Sequence, residues 1–200
     1  PHAFTEYPMS IAHKIPLALT ILRLALGPVL LMLTIEWPNA ILFGICLTLA
    51  FLSDVFDGII ARRLGIATAN LRRLDSVADS VFYICATLVA WLLYPTVFIE
   101  HSAALLLLLA LELIRYAFDF LKFRRETSYH MWSSKLWGIF LFLGFFSLLS
   151  LDQQGALITI AIYAGIIADL EGLAISLVLT EWRADVPSLV HAVRFRGSQN

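Results

Sequence analysis

Four aspartates lie within a stretch of 26 residues, at spacings that place them on shared helix faces. Asp54 and Asp57 are three residues apart, and Asp75 and Asp79 are four apart, so each pair projects from one side of its own helix. If the two faces meet, four carboxylates surround a small volume and repel one another unless cations neutralise them. Oxygen ligands without histidine or cysteine suit Mg²⁺, Mn²⁺ or Ca²⁺ better than zinc. The pattern predicts a divalent-metal site; the alternative is hydrogen bonding between helices through protonated carboxyls.

The segment between the two pairs suits a phosphate-bearing ligand. Gly58 allows a ligand to approach the helix backbone closely, and Ala61 keeps the next turn of that face small. Four arginines follow, and they are predicted to ring the mouth of the cavity: Arg62, Arg63, Arg72 and Arg73. Membrane topology alone is an alternative explanation for these arginines. A metal site beside a phosphate site favours phosphoryl transfer from a lipid-linked pyrophosphate to an acceptor hydroxyl. One carboxylate outside the metal shell could then take the proton of that hydroxyl.

The composition indicates the elements that position these residues. Of 200 residues, 60% are hydrophobic and 14% are charged, whereas soluble domains carry about 25% charged residues. A soluble chain of this length has too little interior for so much apolar surface, so a soluble helical domain is the weaker alternative. Six stretches are long and apolar enough to cross a bilayer, at residues 16–36, 39–61, 71–94, 98–121, 131–151 and 155–179.

We therefore expect an all-α, six-helix membrane bundle in one domain, residues 1–180, followed by a polar cytoplasmic tail, residues 181–200. Twelve of the fourteen Lys and Arg residues lie in the linkers, at the span ends or in the tail on one side of this arrangement, and only Arg23 and Arg115 lie deeper within spans. The positive-inside rule then places both termini in the cytoplasm. The tail is expected to be a frayed end, the alternative being a basic amphipathic segment on the membrane surface.

The charged residues within the predicted spans gather in the cytoplasmic half of the membrane. Besides the four aspartates they are Arg23, Glu112, Arg115, Asp169 and Glu171. Ionisable residues inside a membrane indicate a functional site, so their common layer predicts one polar cavity open to the cytoplasm. An ion or proton transporter is an alternative use of such a cluster. Transporters, however, tend to place their sites near the midplane and to contain inverted repeats, which this sequence does not show.

The aspartate stretch resembles the CDP-alcohol phosphatidyltransferase family, whose signature reads D-x2-D-G-x2-A-R-x8-G-x3-D-x3-D. Seven of its eight fixed positions match, namely Asp54, Asp57, Gly58, Ala61, Arg62, Asp75 and Asp79. The segment IPLALTILRLALGP also resembles the opening of that family, with Pro16, Thr20, Arg23 and Pro28 in familiar places. The similarity covers most of the chain, although only the signature is specific.

The resemblance implies transfer of a phosphatidyl group from a CDP-linked lipid to a small alcohol, with release of CMP. It implies a six-helix membrane protein, generally a homodimer, in the bacterial inner membrane, with no nucleic-acid partner. A two-metal site with Mg²⁺ or Mn²⁺ would be held by the four aspartates, and Asp79 would also be the base on the acceptor hydroxyl. The CDP group would lie against Gly58, Ala61, Arg62 and the position of Leu71.

Two departures from the family pattern bear on activity. Leu71 stands where the signature has its second glycine, and its isobutyl group is expected to crowd the nucleotide. A divergent member with an atypical donor or low activity is therefore an alternative. Members that make phosphatidylglycerol phosphate often have a G-K-x-K-T-like stretch at the start of the fifth span. This chain reads SSKLWG there, and Lys135 is the one residue of that stretch that clearly matches. Arg115, Arg124 and Arg125 are further candidates for the acceptor site, and the acceptor alcohol itself stays open.

Overall fold

The computed structural model describes residues 11–66, 68–125, 129, 131–183 and 185–197. Within these residues the chain is all-α and contains no strand. It divides into two compact units, Pro1–Leu93 and Tyr94–Asn200. The all-α class predicted from the sequence is confirmed.

The first unit contains three long helices, α1 (Ile11–Glu36), α2 (Ala40–Arg63) and α3 (Ala69–Leu93). Asn39 caps the start of α2, where its side chain accepts hydrogen bonds from the backbone N–H groups of Ile41 and Leu42. Helix α1 packs along both α2 and α3, and in the described residues α2 and α3 approach each other much less closely than either approaches α1. The side chains of α1 therefore separate the two aspartate-bearing helices.

The second unit contains five helices in its described residues. They are α4 (Pro95–Glu100), α5 (Ser102–Phe123), α6 (Trp132–Leu151), α7 (Ala156–Val178) and α8 (Leu189–Gly197). Helix α7 packs against α5, α6 and α8. The Lys122 ammonium near the end of α5 donates to the Ser176 carbonyl at 2.7 Å, so α5 and α7 end on the same side of the unit. This bond satisfies a carbonyl in the last turn of α7.

Five helices of the described chain are long and apolar enough to cross a membrane: Lys14–Glu36, Ala40–Arg63, Arg73–Leu93, Trp132–Leu151 and Ala156–Val178. They mark the chain as an integral membrane protein. The sequence predicted a sixth span at residues 98–121. The structure begins α5 separately at Ser102, and its 22 residues include Glu112, Arg115, Asp119 and Lys122. The sixth span stays a prediction.

The tail is folded, and the expectation of a frayed end was wrong. Helix α8 places the buried Ala192 in an apolar cluster with residues from the end of α7, including Ile175 and Leu179. The Leu189 N–H at its start donates to Glu171 of α7 at 3.2 Å. The Trp132 N–H at the start of α6 donates to the Pro187 carbonyl at 3.2 Å. Apolar burial and paired backbone groups hold the tail against the helix ends.

The packing of α8 against the helix ends can be tested by the stability of a variant. In the Ala192→Asp variant a carboxylate would replace a fully buried methyl group, and an unpaired buried charge costs about 3–5 kcal/mol. We expect the melting temperature in detergent to fall on the order of 10 °C. The control is Val190→Asp, because Val190 is 60% exposed on the same helix. Equal melting temperatures for the two variants would contradict the packing of α8.

Candidate functional site

The four aspartates of the sequence pattern lie together at one end of the first unit. Asp54 and Asp57 project from the second half of α2, and Asp75 and Asp79 project from the first half of α3. One carboxylate oxygen from each of Asp54, Asp57 and Asp75 lies within 4.8 Å of the other two. The structure thus brings together carboxylates that the spacing had placed on two separate helix faces.

The guanidinium group of Arg23 on α1 lies at the centre of these carboxylates. Its Nη1 atom pairs with Asp54 at 2.8 Å and also with Asp79. Its Nη2 atom pairs with Asp75 at 2.9 Å and also with Asp57. Each terminal nitrogen therefore joins one carboxylate of α2 to one carboxylate of α3. The two aspartate faces meet across this arginine.

The Arg23 guanidinium is buried, and a neighbouring side chain of α1 also bonds to the cluster. Arg23 is 1% exposed, and Thr20, one turn earlier on α1, donates a hydrogen bond to Asp57 at 3.3 Å and to the Pro16 carbonyl at 3.0 Å. The Arg23 Nε atom is buried without a hydrogen-bond partner in the described residues. A buried charge is tolerated when it is paired and hydrogen-bonded, and the four carboxylates supply that pairing.

The cluster is open on one side. The Asp57 side chain is 5% exposed, whereas those of Asp54, Asp75 and Asp79 are 47%, 33% and 37% exposed. One guanidinium balances a single carboxylate, so the cluster carries an excess of negative charge when more than one of the four is ionised. That excess is accessible along the edge formed by the three exposed aspartates.

The donor atoms of the cluster fit a divalent metal. All of them are carboxylate oxygens, which Mg²⁺ and Mn²⁺ prefer over nitrogen and sulfur ligands. The three oxygens of Asp54, Asp57 and Asp75 lie within 4.8 Å of one another. Opposite oxygens around Mg²⁺ are about 4 Å apart at its usual bond length, which is close to the separation of these three oxygens. The residues present therefore fit such an ion.

The residues predicted to line the nucleotide site lie beside the cluster on α2 and α3. A Cβ atom added to Gly58 would lie 3.4 Å from Nη1 of Arg62, so this guanidinium lies over the helix surface at Gly58. Ala61 is buried at 7% exposure. Leu71 is half-buried in the first turn of α3, where its backbone N–H donates to Thr68 Oγ1 at 3.2 Å.

The predicted acceptor residues lie in the second unit. Arg115 on α5 donates from Nε to Asp169 of α7 at 3.0 Å. Its stem crosses α7 at Gly172, where an added Cβ atom would lie 2.9 Å from the Arg115 Cδ atom. Arg115 therefore lies in the interface between α5 and α7, and Asp169 is its partner.

The other three candidate cations lie at the end of this unit where α5 stops and α6 begins. Arg124 ends α5 in the left-handed conformation, with φ 56°. Arg125 lies over the Trp182 ring and Lys135 over the Trp132 ring, at 5.7 Å and 4.6 Å from the ring centroids. Cation–π contacts of this kind leave the charged head accessible.

Sequence reasoning placed Arg23 in the same charged layer as the aspartates but gave it no role at the site. The signal was present, because Arg23 is the only Lys or Arg in the interior of its predicted span, and that span contains no acidic residue before Glu36. A buried arginine needs an anion, and here the anions had to come from other helices. Which helices supply them depends on the packing of α1.

Comparisons with known proteins agree with this geometry. A family model described as CDP-alcohol phosphatidyltransferase matches residues 13–182. The chain is similar to a protein of Rickettsia bellii (strain RML369-C) named CDP-diacylglycerol–glycerol-3-phosphate 3-phosphatidyltransferase. The two are 38% identical over 79 residues, which cover 38% of this chain and 44% of that protein. The match thus spans less than half the length of the relative.

No solved structure matches this chain. The family model spans most of the sequence, from α1 to the segment after α7. It includes the four aspartates and the arginine that joins them. The chain belongs to the CDP-alcohol phosphatidyltransferase family.

Proposed function

We propose that this protein transfers a phosphatidyl group from CDP-diacylglycerol to a small alcohol and releases CMP. The observation that carries the proposal is the carboxylate cluster of the first unit, with an accessible negative edge beside Gly58 and Arg62. Family membership supports the reaction type. The name of the Rickettsia relative supports CDP-diacylglycerol as the donor.

Asp54, Asp57, Asp75 and Asp79 would hold one or two Mg²⁺ or Mn²⁺ ions. When bound, such ions neutralise the donor's pyrophosphate and the departing CMP. Arg23 keeps the four carboxylates close together while leaving negative charge at the open edge. Asp57, the least exposed of the four, is held in place by Arg23 and Thr20.

Asp79 is the proposed general base. Its side chain is 37% exposed at the open edge, where an acceptor hydroxyl can reach it. Its pairing with Arg23 Nη1 fixes the direction of the carboxylate. One oxygen can therefore stay on Arg23 while the other takes the proton from the attacking hydroxyl.

The CDP group of the donor is proposed to lie against Gly58, Ala61 and Arg62. The Arg62 guanidinium, one turn beyond Gly58, would pair with a phosphate of the donor. Leu71 would border the same space from α3. Its side chain fills volume that the family glycine leaves open, and this favours low activity or an atypical donor as a second candidate.

Glycerol 3-phosphate is the proposed acceptor, because the name of the Rickettsia relative contains it. Its phosphate would be drawn by the cations of the second unit, namely Arg115, Arg124, Arg125 and Lys135. The protein is further proposed to be a homodimer in a bacterial inner membrane, with six spans. Both termini and the aspartate cluster would then face the cytoplasm, as the distribution of Lys and Arg indicates.

The test is CMP release by the purified protein. CDP-diacylglycerol and Mn²⁺ are incubated with glycerol 3-phosphate, inositol, serine or choline, and each product lipid is identified. We expect CMP release that depends on Mn²⁺ and on glycerol 3-phosphate. Release with serine alone would show that serine, and not glycerol 3-phosphate, is the acceptor. If no alcohol supports CMP release, the assignment of the unmodified protein as an enzyme of this kind is contradicted.

The Leu71→Gly variant tests the second candidate. If Leu71 crowds the nucleotide, removing its side chain is expected to lower KM for CDP-diacylglycerol and to raise CMP release, while KM for the acceptor is unchanged. The matched control is Leu74→Gly, which places the same helix-weakening residue one turn further along α3. Equal donor KM values for Leu71→Gly and the parent protein would show that Leu71 does not restrict the donor.

A further inference from the structure

The folded tail lies against the ends of two candidate membrane spans of the second unit. Helix α6 begins at Trp132 and α7 ends at Val178, and the Trp132 N–H donates to the Pro187 carbonyl at 3.2 Å. Helix α8 starts beside Glu171, which accepts a hydrogen bond from the Leu189 N–H and lies about 10 Å of helix before Val178. Helix α8 therefore lies alongside the last turns of a candidate span, where acyl chains meet lipid headgroups.

The two faces of α8 have different surroundings. Ala192 is fully buried, and Leu189 and Phe195 pack against the same apolar cluster at the end of α7. Val190 and Val193 are instead 60% and 55% exposed, and their spacing of three residues places them on one face of the helix. This second face is turned away from the apolar cluster. At the edge of a membrane, such a face suits contact with acyl chains.

Arginines lie close to the exposed valines. Arg194 follows Val193 directly, Arg196 lies two residues further along, and both arginines are exposed. The Arg183 guanidinium lies over the Phe195 ring, 4.3 Å from the ring centroid. A small groove brings two of these arginines together, and it is lined by Leu179, Thr180, Glu181, Arg183, Phe195 and Arg196. Two arginines and one carboxylate therefore line the same groove, on the helix that carries the exposed valines.

Positive charge is in excess at this end of the second unit. Burial, and after it the charge of Arg196, lower the pKa of the Lys122 ammonium, so these two cations of α5 and α8 lie near enough to repel each other. Exposed cations outnumber exposed acidic side chains among the residues described here, with Lys122, Arg124, Arg125, Lys135, Arg183, Arg194 and Arg196 against Glu181 and Asp185. An anion bound at this end would relieve the repulsion.

We propose that the tail binds anionic phospholipids through the α8 surface, which consists of Arg183, Val190, Val193, Arg194 and Arg196. Arg183 and Arg196 donate to the phosphate of one headgroup, while Val190 and Val193 contact the upper part of the acyl chains. Basic segments beside a membrane span attract anionic lipids by their charge. The ligand is a lipid rather than a free phosphate, because the arginines share their helix with an exposed apolar face at the edge of the membrane.

Native mass spectrometry of the full chain tests the α8 surface. The purified protein is incubated in detergent with equal amounts of phosphatidylglycerol, which is anionic, and phosphatidylcholine, which carries no net charge, and the bound lipids are identified by mass. We expect the parent protein to retain more phosphatidylglycerol than phosphatidylcholine. Arg183→Gln and Arg196→Gln should each lower the ratio of these bound lipids about 10-fold, because each variant loses a charged hydrogen bond. Val190→Asn should lower the retention of both lipids and leave their ratio unchanged.

Arg63→Gln is the matched control, because it removes an exposed arginine from the end of α2 and should leave the lipid ratio of the parent protein unchanged. Equal retention of the two lipids by the parent, or equal ratios for Arg183→Gln, Arg196→Gln and Arg63→Gln, would overturn the proposal. Displacement of phosphatidylglycerol by inorganic phosphate at equal ionic strength would also overturn it and would indicate a site for free phosphate. No CDP-diacylglycerol is present, so the result does not depend on the proposed phosphatidyl transfer.

Discussion

The Asp79→Asn variant is expected to release CMP from CDP-diacylglycerol roughly 100- to 10,000-fold more slowly than the unmodified protein, which is the usual contribution of a general base. The asparagine amide keeps the size of the side chain and one oxygen for Arg23 Nη1 but cannot accept the proton of the acceptor hydroxyl. The loss should appear in kcat, measured as CMP release at saturating CDP-diacylglycerol, acceptor and Mn²⁺.

Asp152→Asn is the matched control for this change. Asp152 ends α6 with φ 55°, a conformation that asparagine also adopts readily, and it lies far along the sequence from the cluster. It should retain full activity. The expected loss of kcat is roughly 100-fold or more. If Asp79→Asn instead keeps more than about a tenth of the parent kcat, Asp79 is not the base. The exposed Asp54 and Asp75 would then be the next candidates.

The Arg23→Gln variant is expected to lose much of its stability when divalent metal is removed. Without the guanidinium, four carboxylates stand close together with no cation among them, and breaking a buried ion pair costs about 3–5 kcal/mol. The melting temperature in EDTA is expected to fall on the order of 10 °C relative to the unmodified protein. Added Mn²⁺ should recover a large part of the difference, since it neutralises the same carboxylates.

Two further variants separate charge from shape. Arg23→Lys keeps a positive charge but has no second terminal nitrogen with which to join α2 to α3. Its melting temperature should therefore lie between those of the parent protein and Arg23→Gln. Arg63→Gln removes an exposed arginine at the end of α2, and its melting temperature should equal that of the parent protein. Identical melting of Arg23→Gln and the parent in EDTA would show that the arginine does not hold the cluster together.

The sequence by itself determined the helices and the position of each aspartate on them. An apolar stretch of about 20 residues in a membrane has to be helical, because the backbone groups find no other partners there. Spacings of three and four then put Asp54 with Asp57, and Asp75 with Asp79, on one side of a helix. These inferences depend on neighbouring residues alone. The structure has helices long and apolar enough to cross a membrane at five of the six predicted spans, and it brings the aspartates together.

The packing between helices could be read only from the tertiary structure. The spacing suggested that α2 and α3 meet directly, but α1 lies against both, and the aspartates meet across Arg23. The folded tail was missed for a similar reason. VPSLVHAVRFRG has a weak apolar pattern, and its helix is stabilised by the ends of α6 and α7.

Local periodicity therefore determined which residues share a helix face. Only the packing of whole helices decided which faces meet, because that choice depends on side-chain shape summed over the entire unit.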